Sequence, residues 1–248
     1  MKRNFRYTLT IILLLISWYA IASSIDHAMI LPMPQDVLVK MINQVQQASF
    51  YTSILMTCYR MLIGLLIACA LGIVIGLLAS LKPWLNDYIT PITSMIKTIP
   101  NISYMIIVLL WFTSHQSVIV IVFLILFPLF YEATKSGIQS IRSSLMDVLR
   151  VYSETPFNKI KNVYIPSMLP FVLSNLAVSL NLGFKVAIMA EVLGQPASGI
   201  GRSMLISKLT LDMASLFAWT AWIIILGLIF DRIVNLIIGY INRHLLNT

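Results

Sequence analysis

Residues 61–80, MLIGLLIACALGIVIGLLAS, run for twenty positions without a charge. A bilayer core about 30 Å thick takes about 20 apolar helical residues to cross. Composition points the same way: 59% of the 248 residues are hydrophobic and 10% are charged, against about 25% charged in soluble domains. A chain of this length has no soluble core large enough to hide so much apolar surface. In lipid, each backbone N–H and C=O must be satisfied within its own segment. The apolar runs are therefore expected as helices, including the β-branched VIVIVF at 118–123.

Six spans are expected over one membrane domain, 1–248: 7–25, 51–80, 89–112, 117–134, 167–190 and 213–240. The third and fourth have strongly apolar parts of only about 14 residues, short for a crossing. The third borrows residues 89–98, and TSHQS (113–117) is a turn between the two. The first, behind MKRNFR, reads as an uncleaved span; AIA at 20–22 leaves a signal peptide as the alternative. Gly64, Gly72 and Gly76 share one helix face, and Gly72 with Gly76 forms a G-x-x-x-G that admits a close neighbour.

The formal net charge is +8. No basic patch is interleaved with aromatics as strand binding requires, so nucleic acid is not the partner. The cations flank spans instead. Lys2, Arg3, Arg6, Lys82, Lys135, Arg142, Arg150, Lys159, Lys161 and Arg243 fall on one side, against Lys40, Arg202 and Lys208 on the other. That asymmetry predicts both termini, and the segment between spans four and five, on the cytoplasmic side.

The 137–165 segment is long for a connection and is not disordered in composition. Ile138, Ile141, Leu145, Val148 and Leu149 recur at helical spacing from Gly137 to Val151. Thr155 caps a second helix with Pro156 in its first turn, and Pro166 is expected to end it. Two short helices meeting near Tyr152–Thr155 make a knuckle suited to docking.

Catalytic chemistry is absent from the pattern. There is no G-x-x-x-x-G-K-[ST], so nucleotide phosphates are not cradled by that route. His27, His115 and His244 are far apart, and Cys58 and Cys69 fit neither a zinc nor a redox spacing. No metal site and no bound cofactor are expected. Polar residues within the spans either line a path or hold helices together. The candidates for the path are Asn101, Tyr104, Asn175, Ser179, Lys185 and Glu191. Lys185 and Glu191, about 9 Å apart along a helix, are read as a substrate or gate contact, or else as snorkelling or structurally paired charges. Lys97 either lines the pathway or snorkels. A somewhat cationic cavity favours an anionic solute.

Several stretches, taken in order, resemble the permease subunits of binding-protein-dependent ABC importers, in their sulfonate, taurine and nitrate branch. LPMPQDVL (31–38) is similar to a Leu-Pro-x-Pro-x-x-Val-Leu element, and SILMTCYRMLIGLLIACALGIVIGLL (53–78) to the second span, with its Arg at Arg60. KTIPNISYMIIVLLWF (97–112), IPSMLP (165–170), KVAIMAEVLGQPASGIG (185–201) and LIFDRIVNLI (228–237) extend the resemblance over nearly the whole chain. The 147–166 stretch resembles the family's Glu-Ala-Ala loop in spacing, with Asp147, Val148 and Leu149 at its start and Ser153 where the pattern has glycine.

The resemblance implies an all-α membrane protein with a helical cytoplasmic coupling loop. It implies an import subunit of a bacterial cell membrane, working as a homodimer and itself not an enzyme. A cytoplasmic ATPase dimer carries ATP and Mg, and an extracytoplasmic binding protein docks on residues 26–50 and 191–212. The ATPase contacts would be Asp147, Arg150, Ser153, Glu154, Thr155, Phe157 and Lys159, with Phe157 the anchor. In the family Arg60 recurs across substrates, which implies a structural role. The competing reading is an ion-gradient-driven secondary transporter.

Overall fold

The computed structural model describes residues 2–25, 27–145, 147 and 155–245. Among these residues all regular elements are helical. They are α1 (Lys2–Ile25), α2 (Pro34–Val45), α3 (Ala48–Leu81), α4 (Pro83–Thr98), α5 (Asn101–Trp111), α6 (Ser114–Gln139), α7 (Pro156–Gly194), α8 (Ile200–Leu209) and α9 (Met213–Leu245). Four of them, α3, α6, α7 and α9, are long and apolar enough to cross a membrane. The α4–α5 pair makes a fifth if it counts as one broken span, and α1 has a shorter apolar part, Leu9–Ile25.

Prolines set several boundaries. Pro34 and Pro83 stand in the first turns of α2 and α4, where a missing N–H costs no hydrogen bond. The expected third span, 89–112, is instead two helices bent by 102°. Ile99 is extended, at φ −68° and ψ 130°, immediately before Pro100. The proline ring disfavours helical geometry at the preceding residue, and this breaks the helix. Pro166 does not end a helix as expected: α7 is continuous for 39 residues through it. Residues Ile160–Tyr164 form a π turn, with the Ile165 N–H donating to the Ile160 carbonyl. The wider turn eases the clash a proline ring makes with the preceding turn of an α-helix. Nor does one helix begin at Gly137. α6 runs to Gln139, and the Leu145 N–H to Arg142 carbonyl bond (3.1 Å) closes a separate turn.

The core is built on α3, α6 and α7. A Cβ placed on Gly64 would meet Val122, one on Gly72 would lie 2.5 Å from the Phe130 Cβ, and one on Gly76 would meet Thr134. Contact positions rise together along both helices, so α3 and α6 run parallel. Gly137 lies against Met168, Gly183 against Leu126, and Gly194 near Ser114. Here the numbers run oppositely, so α7 is antiparallel to α6. Met61, Leu65, Ala68, Ile121, Val122, Leu126, Phe130, Ala187 and Ala190 fill the seam. The α3 face expected to pack is the face that packs. Its other side exposes Leu55, Leu62, Leu66 and Leu78, as suits a helix solvated by lipid.

These directions give the bundle two ends. One carries residues 140–145 and 155–165 and the end of α3. The other carries α2, α8, the starts of α3, α6 and α9, and the end of α7.

Close approach at Gly72 yields the first prediction. Gly72→Val should cost about 1–3 kcal/mol through overpacking, seen as a lower thermal unfolding midpoint in detergent. Gly227→Ala, where nothing lies within 4 Å of the added Cβ, should leave the midpoint unchanged or raise it slightly, since alanine is the better helix former. Equal midpoints for the two variants would contradict the packing account.

Candidate functional site

The α2/α8 end is organised around one buried ion pair. Arg60 on α3 and Glu191 on α7 are 2% and 0% exposed. Arg60 Nη1 donates to Glu191 Oε1 at 2.6 Å and to the Ser198 carbonyl at 2.7 Å. Its Nε donates to His115 Nδ1, at the start of α6, at 2.9 Å. The Ile200 N–H donates to Thr57 Oγ1 (2.9 Å), which leaves the Thr57 hydroxyl proton for Glu191 Oε2 at 2.8 Å. The Gly201 N–H completes the carboxylate's shell at 3.0 Å.

The connection from α7 to α8 is shaped to close over this pair. Gln195 is left-handed at φ 47°, the turn that ends α7. Gly199 has φ +148°, and a Cβ there would lie 2.4 Å from the Glu191 carboxyl. A Cβ on Gly201 would lie 2.3 Å from the Ile188 carbonyl. LGQPASGIG is thus a strap wrapped on Glu191, and the glycines are what let it approach.

The expected path residues do not form one cluster. Glu191 takes Arg60 as its partner, while Lys185 is exposed on α7. Asn101 is exposed and accepts a hydrogen bond from the half-buried Tyr104 hydroxyl at 2.8 Å. Asn175 and Ser179 sit one turn apart on α7; Asn175 Nδ2 and Ser179 Oγ are buried without a hydrogen-bond partner among the described residues. Lys97 makes a half-exposed ion pair with Glu132 at 2.6 Å. Thr57, His115, Ser198 and the strap amides were not singled out from the sequence. The usable signal was that an arginine within a span demands a carboxylate at its own depth.

At the other end, Thr155 caps α7 by accepting from the Asn158 N–H at 3.3 Å. Phe157 follows, 71% exposed on a polar tip. Lys159 is half-buried, and Asp147 is exposed in a helical position. Arg150, Ser153 and Glu154 lie outside the described residues. Between α6 and α7, Ser140, Arg142, Leu145 and Ser167 line a groove of about 540 Å³. Among the described residues, no group of three His, Cys, Asp or Glu side chains comes together that could hold a metal.

A second ion pair closes the α2/α8 end. Lys40 Nζ lies 2.8 Å from Asp212 Oδ2. Asp212 also accepts from the Ser215 N–H and hydroxyl, at 3.0 and 2.8 Å, at the start of α9. Burial alone would raise the Asp212 carboxyl; Lys40 and Ser215 outweigh it and hold it below its ordinary value. The carboxylate therefore stabilises the fold at neutral pH, and that contribution is lost as pH falls through the depressed folded value. The stability gap between wild type and Asp212→Asn should stay constant above about pH 5 and close below about pH 4. A gap independent of pH in thermal melts would refute this.

The central pair makes a sharper prediction. Arg60→Met or Glu191→Leu alone leaves an uncompensated buried charge and should cost about 3–5 kcal/mol. The double variant Arg60→Met/Glu191→Leu should recover much of that loss in a thermal-melt mutant cycle. Additive losses would rule out the pairing.

Residues 68–245 match the family described as "Binding-protein-dependent transport system inner membrane component". The Bacillus subtilis permease protein SsuC, named for aliphatic sulfonates, is 25% identical over 89% of this chain and 80% of its own. The Escherichia coli "Taurine transport system permease protein TauC" is 22% identical over 74% of this chain and 70% of its own. Among solved structures, an amino acid ABC transporter chain aligns with TM-score 0.69 at 15% identity, over 82% of this chain and 97% of that one. The MetNI methionine ABC transporter in an inward-facing form aligns with TM-score 0.63 at 16% identity, over 75% and 93%. The structural likenesses speak for the fold. The family match covers well over half of the chain, which belongs to the binding-protein-dependent transport inner-membrane family.

Proposed function

We propose that this family member is the membrane-spanning subunit of an ATP-driven importer, working as a homodimer with six crossings and both termini cytoplasmic. ATP and Mg are bound by a separate ATPase dimer, and a binding protein delivers solute at the α2/α8 end. The 147–161 loop passes the ATPase motion to the spans. The observation that carries this reading is the reach of α7. One helix links the exposed Phe157 at one end to Glu191 at the other, about 50 Å away at 1.5 Å per residue. A large apolar side chain on a polar, capped tip suits insertion into a cleft on another protein. The strap that closes on Glu191 is then the part that such a lever can loosen.

The choice of solute is supported by the names of two relatives, which specify sulfonates and taurine. The proposal is a small organic acid, such as a sulfonate. The basic flanks of the 140–165 segment support a cytoplasmic position for that end.

Phe157→Asp tests the reading. Because Phe157 is exposed, the variant should fold with an unchanged melt. It should lose the co-purifying ATPase and at least about tenfold of ATP-dependent uptake, as loss of an anchor residue at an interface does. Uptake that survives the change and collapses with a protonophore would instead favour a gradient-driven transporter.

A further inference from the structure

The buried pair at the α2/α8 end is tied to one side chain that reaches out of the bundle. His115 is exposed at the start of α6, and its Nδ1 accepts from the Nε of the buried Arg60 at 2.9 Å. An imidazole nitrogen that accepts carries no proton, so the bond requires a neutral ring with its hydrogen on Nε2. Tyr59, the residue before Arg60, stacks on the same ring with centroids 6.0 Å apart and planes at 30°. His115 thus meets two neighbours on α3 that favour different states of it. Arg60 needs the ring neutral, while an aromatic face at this range attracts a cation.

The state of His115 bears on the strap through Arg60. A guanidinium is a rigid planar fork, so its acceptors are set together. Nε points at His115, while Nη1 bonds both Glu191 and the Ser198 carbonyl of the strap. A proton on His115 Nδ1 removes one acceptor and sets a second cation at hydrogen-bond distance from the first. No neighbouring acid is free to offset it among the described residues. Glu191 on α7 is committed to Arg60, and Arg202 on α8 is turned to Gln195 at 3.1 Å. α5 has no charged residue, and the next charge on α6 is Glu132, about five turns away.

We infer that His115 is a proton-sensitive positioning residue for the strap. Neutral, it fixes the guanidinium where Arg60 also ties Ser198. Protonated, it stays on the Tyr59 ring and turns the guanidinium away. The Glu191 contact, made between two ions, is kept, and the bond to the neutral Ser198 carbonyl is given up. The strap then hangs on the Ile200 and Gly201 amides alone. Because His115 is exposed, the proton comes from the solution at this end. A histidine changes charge between about pH 5 and 8, so mild acid is enough. On the importer reading that solution lies outside the cell; the switch itself does not rest on that reading.

The test uses the full chain in lipid nanodiscs, with no ATPase present. Amide hydrogen exchange is followed at Ile200 and Gly201 and expressed as protection against the unstructured peptide at the same pH, which removes the intrinsic pH dependence of exchange. Protection in the wild type should fall about tenfold between about pH 7.5 and about pH 5.5. His115→Asn places an amide oxygen where Nδ1 stood, an acceptor that does not titrate, so its protection should stay flat. His27→Gln and Phe157→Asp should both keep the wild-type profile; the second shows that this switch and the coupling tip stand or fall separately. Wild-type protection indifferent to pH overturns the inference, as does a pH response that persists in a folded His115→Asn. Should that variant misfold, nitrogen NMR of the wild-type His115 decides. Nδ1 should be unprotonated at about pH 8 and gain its proton in step with the loss of strap protection. A proton on Nδ1 at that pH, or a titration that leaves the strap unmoved, overturns it equally.

Discussion

Burying an arginine beside a glutamate inside a bundle of apolar helices is tolerable only if the donors and acceptors that face each other are matched. Desolvating two charges costs several kcal/mol each, about what a well-made pair returns. The arrangement around Arg60 and Glu191 answers this demand. The guanidinium reaches a carboxylate, a backbone carbonyl and an imidazole, and the carboxylate receives a hydroxyl and a backbone N–H as well. These groups come from α3, α6, α7 and the strap that runs into the first turn of α8. The register of the three core helices at this end is therefore set together. The glycines of the strap follow from the same requirement, since a side chain at Gly199 or Gly201 would collide with Glu191 or its helix.

The bonds of this cluster are not equal. The Arg60–Glu191 contact is charge-assisted on both sides, while the strap is attached by two backbone N–H groups and one carbonyl. Charge-assisted bonds between ions are the stronger class. Two of the strap ties also involve an ion, and the Ile200 N–H to Thr57 bond is the neutral, weaker one; on the importer reading, the strap at Ile200 is the part proposed to move. The other end has the complementary design. The π turn at Ile160–Tyr164 and the cap at Thr155 hold Phe157 on the same rod that carries Glu191.

Much of the fold was readable from the chain. Long uncharged runs gave α3, α6, α7 and α9, because lipid admits few alternatives to helix. The Gly64, Gly72 and Gly76 face was identified, and its partner helix was not, since a small-residue face carries no address. The Thr155 cap was legible because capping is local. The bend at Ile99–Pro100 and the passage of α7 through Pro166 were missed. In each case a proline signals disruption, and the neighbours decide whether the helix breaks or widens. The Arg60–Glu191 pairing was hidden for a related reason. Glu191 was set beside Lys185 by nearness in sequence, whereas depth along two different helices fixed its partner. His115, Thr57 and the strap amides gather only once three helices are in register.

The most direct test of this account is amide hydrogen exchange at Ile200 and Gly201, whose N–H groups tie the strap to Thr57 and Glu191. It would be read in the membrane complex purified from the native host, with and without ATP. The account predicts that ATP speeds exchange at these two amides while the amides of α3 around Arg60 stay protected. The response should vanish in Phe157→Asp. Exchange at Ile200 and Gly201 that is indifferent to ATP would contradict the link between the two ends of α7.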